Sequence, residues 1–425
     1  MSPQPLPTWL FVCYGGGHVQ ALLPVAQQVR AQGIARPVCL ALTTAAAPVR
    51  AAGLEALGFA DLVQPGDEAA LARGRELAAG LQVQAAALEE SVAYLGLSYA
   101  DLAARLGEAE AAAQYARFGR QAFLPLGPLG RAVDRARPSL VVATNSPRAE
   151  QAAIEVARSR GIPSACLVDL LGIFERERLA RPDFADAILV LNEGVRASLV
   201  AAGRDPTQVR VTGNPAFDSV HAPEMREQGA RLRHEAGWDG LHVLLYASSP
   251  EPAESPGMAG QGDPAFPRRL EAALVAAVQA DPQLALWVRR HPSEGPADAI
   301  AALAHPRIRV AGRDMPLHAC IHASDEVLVT VSTVGVEASL AGKPVTQLRG
   351  SILDALSPYL RLGIARREAR LEDIPALYRP GAVRLRPAPD GLADPPAALP
   401  GPAASQDAAA RVVAVLQSLA ERSRP

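Results

Sequence analysis

The sequence has 425 residues, 49% of them hydrophobic and 20% charged; at about 150 residues per domain this is a folded chain of two to three domains, not a disordered one. Its 42 Lys and Arg against 44 Asp and Glu leave a net charge of −2, which argues against a protein that coats nucleic acid. Lys343 is the single lysine, and in a chain so rich in Ala and Pro this reads as composition bias.

The four cysteines, at 13, 39, 166 and 320, form no C-x-x-C pair, so neither a zinc knuckle nor a thioredoxin-like pair is expected. Three lie inside apolar runs and read as small buried residues on strands. The pattern fits a reducing, cytoplasmic setting. The N-terminal MSPQPLPTW lacks a basic segment and a long apolar segment, so no signal peptide is expected. No uncharged run of 18 apolar residues occurs, so no membrane span is expected. Peripheral contact with a membrane stays open.

Strand and helix signals alternate along the chain. Residues 8–14 (TWLFVCY) form an unbroken apolar run that enters Gly15-Gly16-Gly17-His18 and a helix ending at Gly33. Residues 36–44 give a second strand. Unbroken Val/Leu/Ile runs are the mark of parallel strands buried on both faces, and strand–helix–strand order implies right-handed crossovers in a doubly wound sheet. Residues 66–137 are Ala- and Leu-rich and read as an insertion two or three helices long, broken near Pro125 and Pro128. The rhythm resumes with strands at 139–145, 164–170, 186–192 and 208–215 and helices at 147–160 and 193–203. A charged helix at 222–236 reads as a connector. A second series follows, with strands at 242–248, 284–290, 307–312, 326–330 and 344–348 and helices at 265–280, 296–304, 315–322 and 334–341. Residues 380–404 are rich in Pro, Ala and Gly. Residues 405–420 read as a final helix with Ser405 as a candidate N-cap.

Four clusters could carry chemistry. Gly16, Gly17 and His18 follow the first strand and open a helix, where glycines let backbone N–H groups approach a ligand and where the helix start favours an anion. His18 suits a general base near neutral pH. The run is neither G-x-G-x-x-G nor a P-loop, so dinucleotide and P-loop readings drop. Arg289-Arg290-His291-Pro292 ends a strand of the second series, and ligands of open α/β sheets bind beyond such ends. The Arg290 fork and the His291 N–H match phosphate oxygens, and Pro292 stiffens the turn. Ser332 and Thr333 sit between a strand and a helix and could cradle phosphate, with Glu337 one turn on to accept ribose hydroxyls. An ordinary Ser N-cap is the alternative there. Gly213-Asn214-Pro215 makes a tight turn, as suited to a hinge as to contact. The remaining histidines, His318 and His322 included, show no metal-ligand spacing, and no G-x-S-x-G elbow occurs.

Together these pieces resemble the GT-B superfamily of nucleotide-sugar enzymes. FVCYGGGHVQALLPVAQQV looks like the glycine-rich opening of the lipid II-forming N-acetylglucosaminyltransferase. FADAILVLNEGVRASLVAAGRDPTQVRVTGNPAFD looks like the segment shared by lipid A disaccharide synthase and UDP-N-acetylglucosamine 2-epimerase. The His291-Pro292 turn and the Ser332-Thr333 pair look like the HP and S motifs of sialyl-, Kdo- and polyol-phosphate transferases.

The resemblance implies two Rossmann-like domains facing across a cleft: residues 1–220 for the acceptor, 221–380 for the donor, and 381–425 a Pro-rich loop with a helix returning to the first domain. Arg290, His291, Pro292, Ser332 and Thr333 would bind donor phosphate and Glu337 ribose. Gly16 and Gly17 would line the acceptor side. His18 or Asp169 would be the catalytic base, with Glu175 a further acidic candidate. No metal and no cofactor is implied beyond the nucleotide-sugar donor, because helix starts and basic groups neutralise the leaving phosphate.

The implied activity is glycosyl transfer from a UDP- or CMP-linked sugar to a cell-envelope, polysaccharide, lipid-linked or protein acceptor. The alternatives are an epimerase and a non-catalytic nucleotide-sugar binder. The epimerase needs acidic groups on its first domain, and ATNSPR at 143–148 offers no carboxylate, which lowers that reading.

Overall fold

A computed structural model describes residues 5–79, 81, 85–255, 258–295, 300, 302–312, 314–386 and 407–422. The chain divides into two compact units. The first comprises residues 1–191, 195–216 and 407–425, and the second 192–194 and 217–406.

The first unit is built on a parallel sheet of seven strands in the order β3-β2-β1-β4-β5-β6-β7. In chain order its elements are β1 (Thr8–Cys13), α1 (Gly17–Ala31), β2 (Arg36–Ala41), α2 (Ala46–Ala51) and β3 (Glu55–Leu57). Then come α3 (Glu68–Leu77), α4 (Ala85–Leu106), α5 (Glu108–Phe118), α6 (Leu126–Ala136), β4 (Leu140–Thr144) and α7 (Ala149–Ser159). The series continues with β5 (Ser164–Leu167), α8 (Arg176–Ala180), β6 (Ala187–Val190), α9 (Glu193–Ala201) and β7 (Val209–Val211).

β1 explains the layering. Its alternate side chains enter two cores, Leu10 and Val12 on one face and Trp9, Phe11 and Cys13 on the other. A strand covered on both faces favours apolar residues throughout, which is why this run reads so clearly.

Among the described residues the insertion holds four α-helices rather than two or three. Pro125 does mark a break, as the residue before α6, but Pro128 lies inside α6, in its first turn, where a missing N–H costs nothing. α3 and α4 pack backbone to backbone through Gly74 and Gly96. A Cβ on Gly74 would sit 2.1 Å from the Val92 carbonyl, and one on Gly96 2.2 Å from that of Ala70.

The second unit contains α10 (Pro223–Ala236), β8 (His242–Ala247), α11 (Phe266–Ala280), β9 (Leu284–Arg289), β10 (Ile308–Val310) and α12 (Leu317–Ala323). It continues with β11 (Glu326–Val329), α13 (Thr333–Leu340), β12 (Val345–Arg349), β13 (Arg367–Arg370) and α14 (Ile374–Leu377). Its six parallel strands run β10-β9-β8-β11-β12-β13. Most of the helix expected at 296–304, the Ser405 cap and most of the Pro-rich stretch lie outside the described residues.

The last helix, α15 (Ala408–Arg422), belongs to the first unit and packs on α1. It buries Val412, Val413 and Leu416 in the Trp9–Phe11 core, at about 1.5–3 kcal/mol for each side chain. Among the described residues no helix is long and apolar enough to cross a membrane.

In both sheets the strand order reverses between the first and fourth strands, β1 and β4 in one and β8 and β11 in the other. Such a reversal leaves the crevice beyond the carboxyl ends of those strands open for a ligand.

Candidate functional site

In the first unit the crevice lies beyond Cys13 and Thr144. Gly16 turns the chain at φ 68° and Gly17 begins α1, which leaves His18 in the first turn of the helix. Its Nδ1 lies 2.7 Å from Thr144 Oγ1 at the end of β4 and 3.8 Å from Glu150 Oε2. Its Nε2 lies 3.7 Å from Asp169 Oδ2, beyond the end of β5. The Thr144 hydroxyl also acts on the Glu150 carboxyl, favouring its charged form. With the Thr144 proton turned toward Glu150, Thr144 Oγ1 accepts from His18 Nδ1–H. That tautomer leaves the Nε2 lone pair next to Asp169.

Glu150 is the residue that the sequence reading misses. It belongs to α7, yet its carboxylate turns back to the end of β4 and accepts the N–H groups of Tyr14 and Ser146, each at 2.7 Å. It is fully buried, and burial outweighs His18 and these hydrogen bonds to hold its carboxyl above the usual range. The absence of a carboxylate at 143–148 is therefore corrected: the next turn of chain supplies one. The signal lay in a Glu in the first turn of the predicted helix, where it ordinarily reads as a favourable dipole partner.

Asp169 is fixed through its backbone. Its N–H donates to Asn145 Oδ1 at 2.9 Å, and its carbonyl accepts from Asn214 Nδ2. Asn214 thus ties the Gly-Asn-Pro turn to the site. The carboxyl of Glu175, which Asn145 also influences, is pushed up by burial. Arg178 donates to the Asn145 carbonyl and to Gln151 Oε1, and burial lowers its pKa. His18, Asp169 and Glu175 are thus brought to one edge of the sheet, as are Gly16 and Gly17.

In the second unit Arg289, Ala247 and Val329 stand level across β9, β8 and β11. The turns that follow β9 and β11 therefore flank the start of the loop after β8, about two strand spacings or 10 Å apart.

The two arginines before His291 face inward. Arg289 donates to the carbonyls of Gly312 and Met315. Arg290 places its fork on Glu271, at 3.1 Å and 2.6 Å. Arg290 is thus held in an internal ion pair that competes with its expected role as a phosphate ligand, since a guanidinium matched to a buried carboxylate is held by it.

His291 is exposed. Its Nδ1 accepts the Ser293 N–H at 3.2 Å and lies 2.7 Å from Ser293 Oγ, so the neutral ring carries its proton on Nε2. Its own N–H donates to Glu294 at 2.9 Å. Glu294 is neutralised by Arg268, which also reaches Ser248 Oγ at 2.9 Å. Pro292 follows in the exposed turn.

Ser332 is the N-cap of α13, where its Oγ accepts the Val334 N–H at 3.3 Å, and the Tyr359 hydroxyl donates to its carbonyl at 2.8 Å. Thr333 is exposed beside it. Glu337, one turn on, is held through Oε2 by His318 Nε2 at 2.7 Å, which leaves Oε1 to accept from a ligand. His318 is thus a positioning residue, which its spacing in the sequence does not reveal. Among the described residues no group of three or more His, Cys, Asp and Glu side chains is placed to hold a metal ion.

No protein-family model matches the chain, and no curated protein sequence does. Solved structures do. A putative UDP-N-acetylglucosamine 2-epimerase from Listeria monocytogenes is similar over 98% of this chain and 97% of its own, with a TM-score of 0.53 at 13% identity. The UDP-GlcNAc 2-epimerase of Methanocaldococcus jannaschii, in complex with UDP-GlcNAc and UDP, is similar over 97% and 99%, with 0.52 at 11%. That of Neisseria meningitidis, bound to UDP-GlcNAc, is similar over 97% and 100%, with 0.50 at 10%. With two doubly wound parallel units joined in this order, the chain has the GT-B fold, which it shares with these epimerases.

Proposed function

We propose that the protein is a nucleotide-sugar enzyme that transfers a sugar from a UDP- or CMP-linked donor to a hydroxyl of a glycan, lipid-linked or protein acceptor. The observation that carries this reading is the Glu150–Thr144–His18 chain. On this reading His18 donates its Nδ1–H to Thr144 and presents Nε2 as the base beside Asp169. In the reaction Nε2 takes the proton of the acceptor hydroxyl as its oxygen bonds to the sugar and the nucleotide phosphate leaves. Asp169 and Glu150 stabilise the imidazolium that forms. In the second unit the α13 start and His291 Nε2–H hold the leaving phosphate, and Glu337 the ribose.

A specific observation favours a second reading. Glu150, Asp169 and Glu175 give the first unit the acidic groups that an epimerase needs for proton transfer at the sugar.

One experiment separates the two. UDP- and CMP-sugars are incubated with and without an acceptor mixture, and the products are followed by NMR. Transfer predicts acceptor-dependent loss of donor, and epimerisation predicts a new sugar signal with no acceptor present. In either case His291→Ala slows donor turnover; full turnover in that variant refutes the donor site.

A further inference from the structure

Four non-glycine residues have positive φ among the described residues. Thr43, Arg137 and Ala304, at φ 55°, 45° and 47°, have φ values in the range of the left-handed helical region that side chains tolerate. Arg148 lies at φ 98°, ψ −120°, a conformation that belongs almost solely to glycine. It sits where the chain leaves β4, two residues before Glu150 and four after Thr144. Its side chain is held as firmly as its backbone. The guanidinium carbon lies 4.6 Å from the centroid of the Tyr14 ring, and Nε donates to the Pro147 carbonyl at 3.1 Å.

That ring is itself fixed. The Tyr14 N–H is bonded to Glu150, and its hydroxyl meets that of Tyr94 at 3.0 Å. Glu150 is spent on backbone N–H groups and Thr144, and Arg178 on Asn145 and Gln151. Among the described residues no carboxylate forms an ion pair with Arg148, so the donors of its two Nη groups remain to be used. A cation stacked on an immobile aromatic face is pre-organised for a planar, two-oxygen partner.

We propose that Arg148 recognises an oxyanion, phosphate or carboxylate, carried by the acceptor next to the hydroxyl that His18 deprotonates; the inference rests on the transfer reading above. A strained backbone in place of the glycine that would fit without cost is the trace of that role. Arg148 is a specificity-determining residue: it selects an anionic acceptor over its neutral counterpart and leaves donor binding alone.

The test uses the full chain, wild type, Arg148→Gly and Arg148→Lys. Each is titrated by calorimetry with glucose, glucose 6-phosphate and glucuronate, in the presence of saturating UDP, and with UDP alone. Wild type is expected to bind one of the two anionic sugars at least about tenfold more tightly than glucose, with phosphate and carboxylate distinguished by which one it prefers. Arg148→Gly loses that preference while its melting temperature holds or rises, since glycine relieves the strain. Arg148→Lys retains part of the preference. Equal binding of all three sugars by wild type, or an unchanged preference in Arg148→Gly, overturns the inference. Loss of UDP binding in wild type overturns the nucleotide-sugar reading instead, and the comparison among sugars is then read without UDP.

Discussion

Asp169→Asn removes one charge 3.7 Å from His18 Nε2 and leaves the shape of the side chain unchanged. At that distance two unit charges attract by about 4 kcal/mol at an effective dielectric constant of about 20. The two side chains are 24% and 20% exposed, and screening by water reduces the attraction to about 2 kcal/mol. This attraction exists only once the imidazole has taken the acceptor's proton, so it acts on the transition state. A loss of about 2 kcal/mol there is a fall of about 30-fold in kcat. The fold does not depend on this carboxylate, because Asp169 is held by its own N–H and carbonyl. Stability is therefore expected to change by less than about 0.5 kcal/mol. The assay is steady-state transfer with kcat and donor KM resolved separately, alongside a urea melt. A kcat within about threefold of wild type, or a fall matched by lost stability, refutes a charge acting on the imidazolium.

Glu150→Gln tests the buried carboxyl by its pH dependence. The folded protein holds this proton more tightly than the unfolded chain, so its contribution to stability is complete below about pH 4.5 and is lost as pH rises through the folded value. The variant cannot titrate, so urea melts from pH 4 to 8 should show the stability difference moving in its favour as pH rises, while transfer activity falls. A difference that does not change with pH rejects burial as the dominant influence on Glu150. Arg290→Ala strips Glu271, 4% exposed, of its two-point partner and should cost about 2–4 kcal/mol, with Arg268 limiting the loss. A melt that is unaltered, with donor affinity reduced instead, would return Arg290 to the phosphate.

The sequence alone sets the βα rhythm, because a strand sandwiched between helices favours apolar residues along most of its length. β1, β4, β8 and β9 all read as unbroken apolar runs for that reason. β3 and β13 do not. They lie at the two sheet edges, where a single neighbouring strand and open flanks relax the demand for apolar residues, and β13 reads Arg-Glu-Ala-Arg. Local motifs likewise place His18, His291 and Ser332 beyond strand ends and Glu337 one turn into a helix, since a turn and a helix start leave their mark within a few residues.

What the tertiary structure decides is which side chains are already spent. Arg290 looks like a phosphate ligand until α11 sets Glu271 against it. Glu150 looks like a first-turn acid until α7 brings it to Tyr14, Ser146 and His18, and His318 shows no role until it meets Glu337. Burial, charge pairing and backbone strain depend on neighbours far along the chain, and one-dimensional spacing does not encode them.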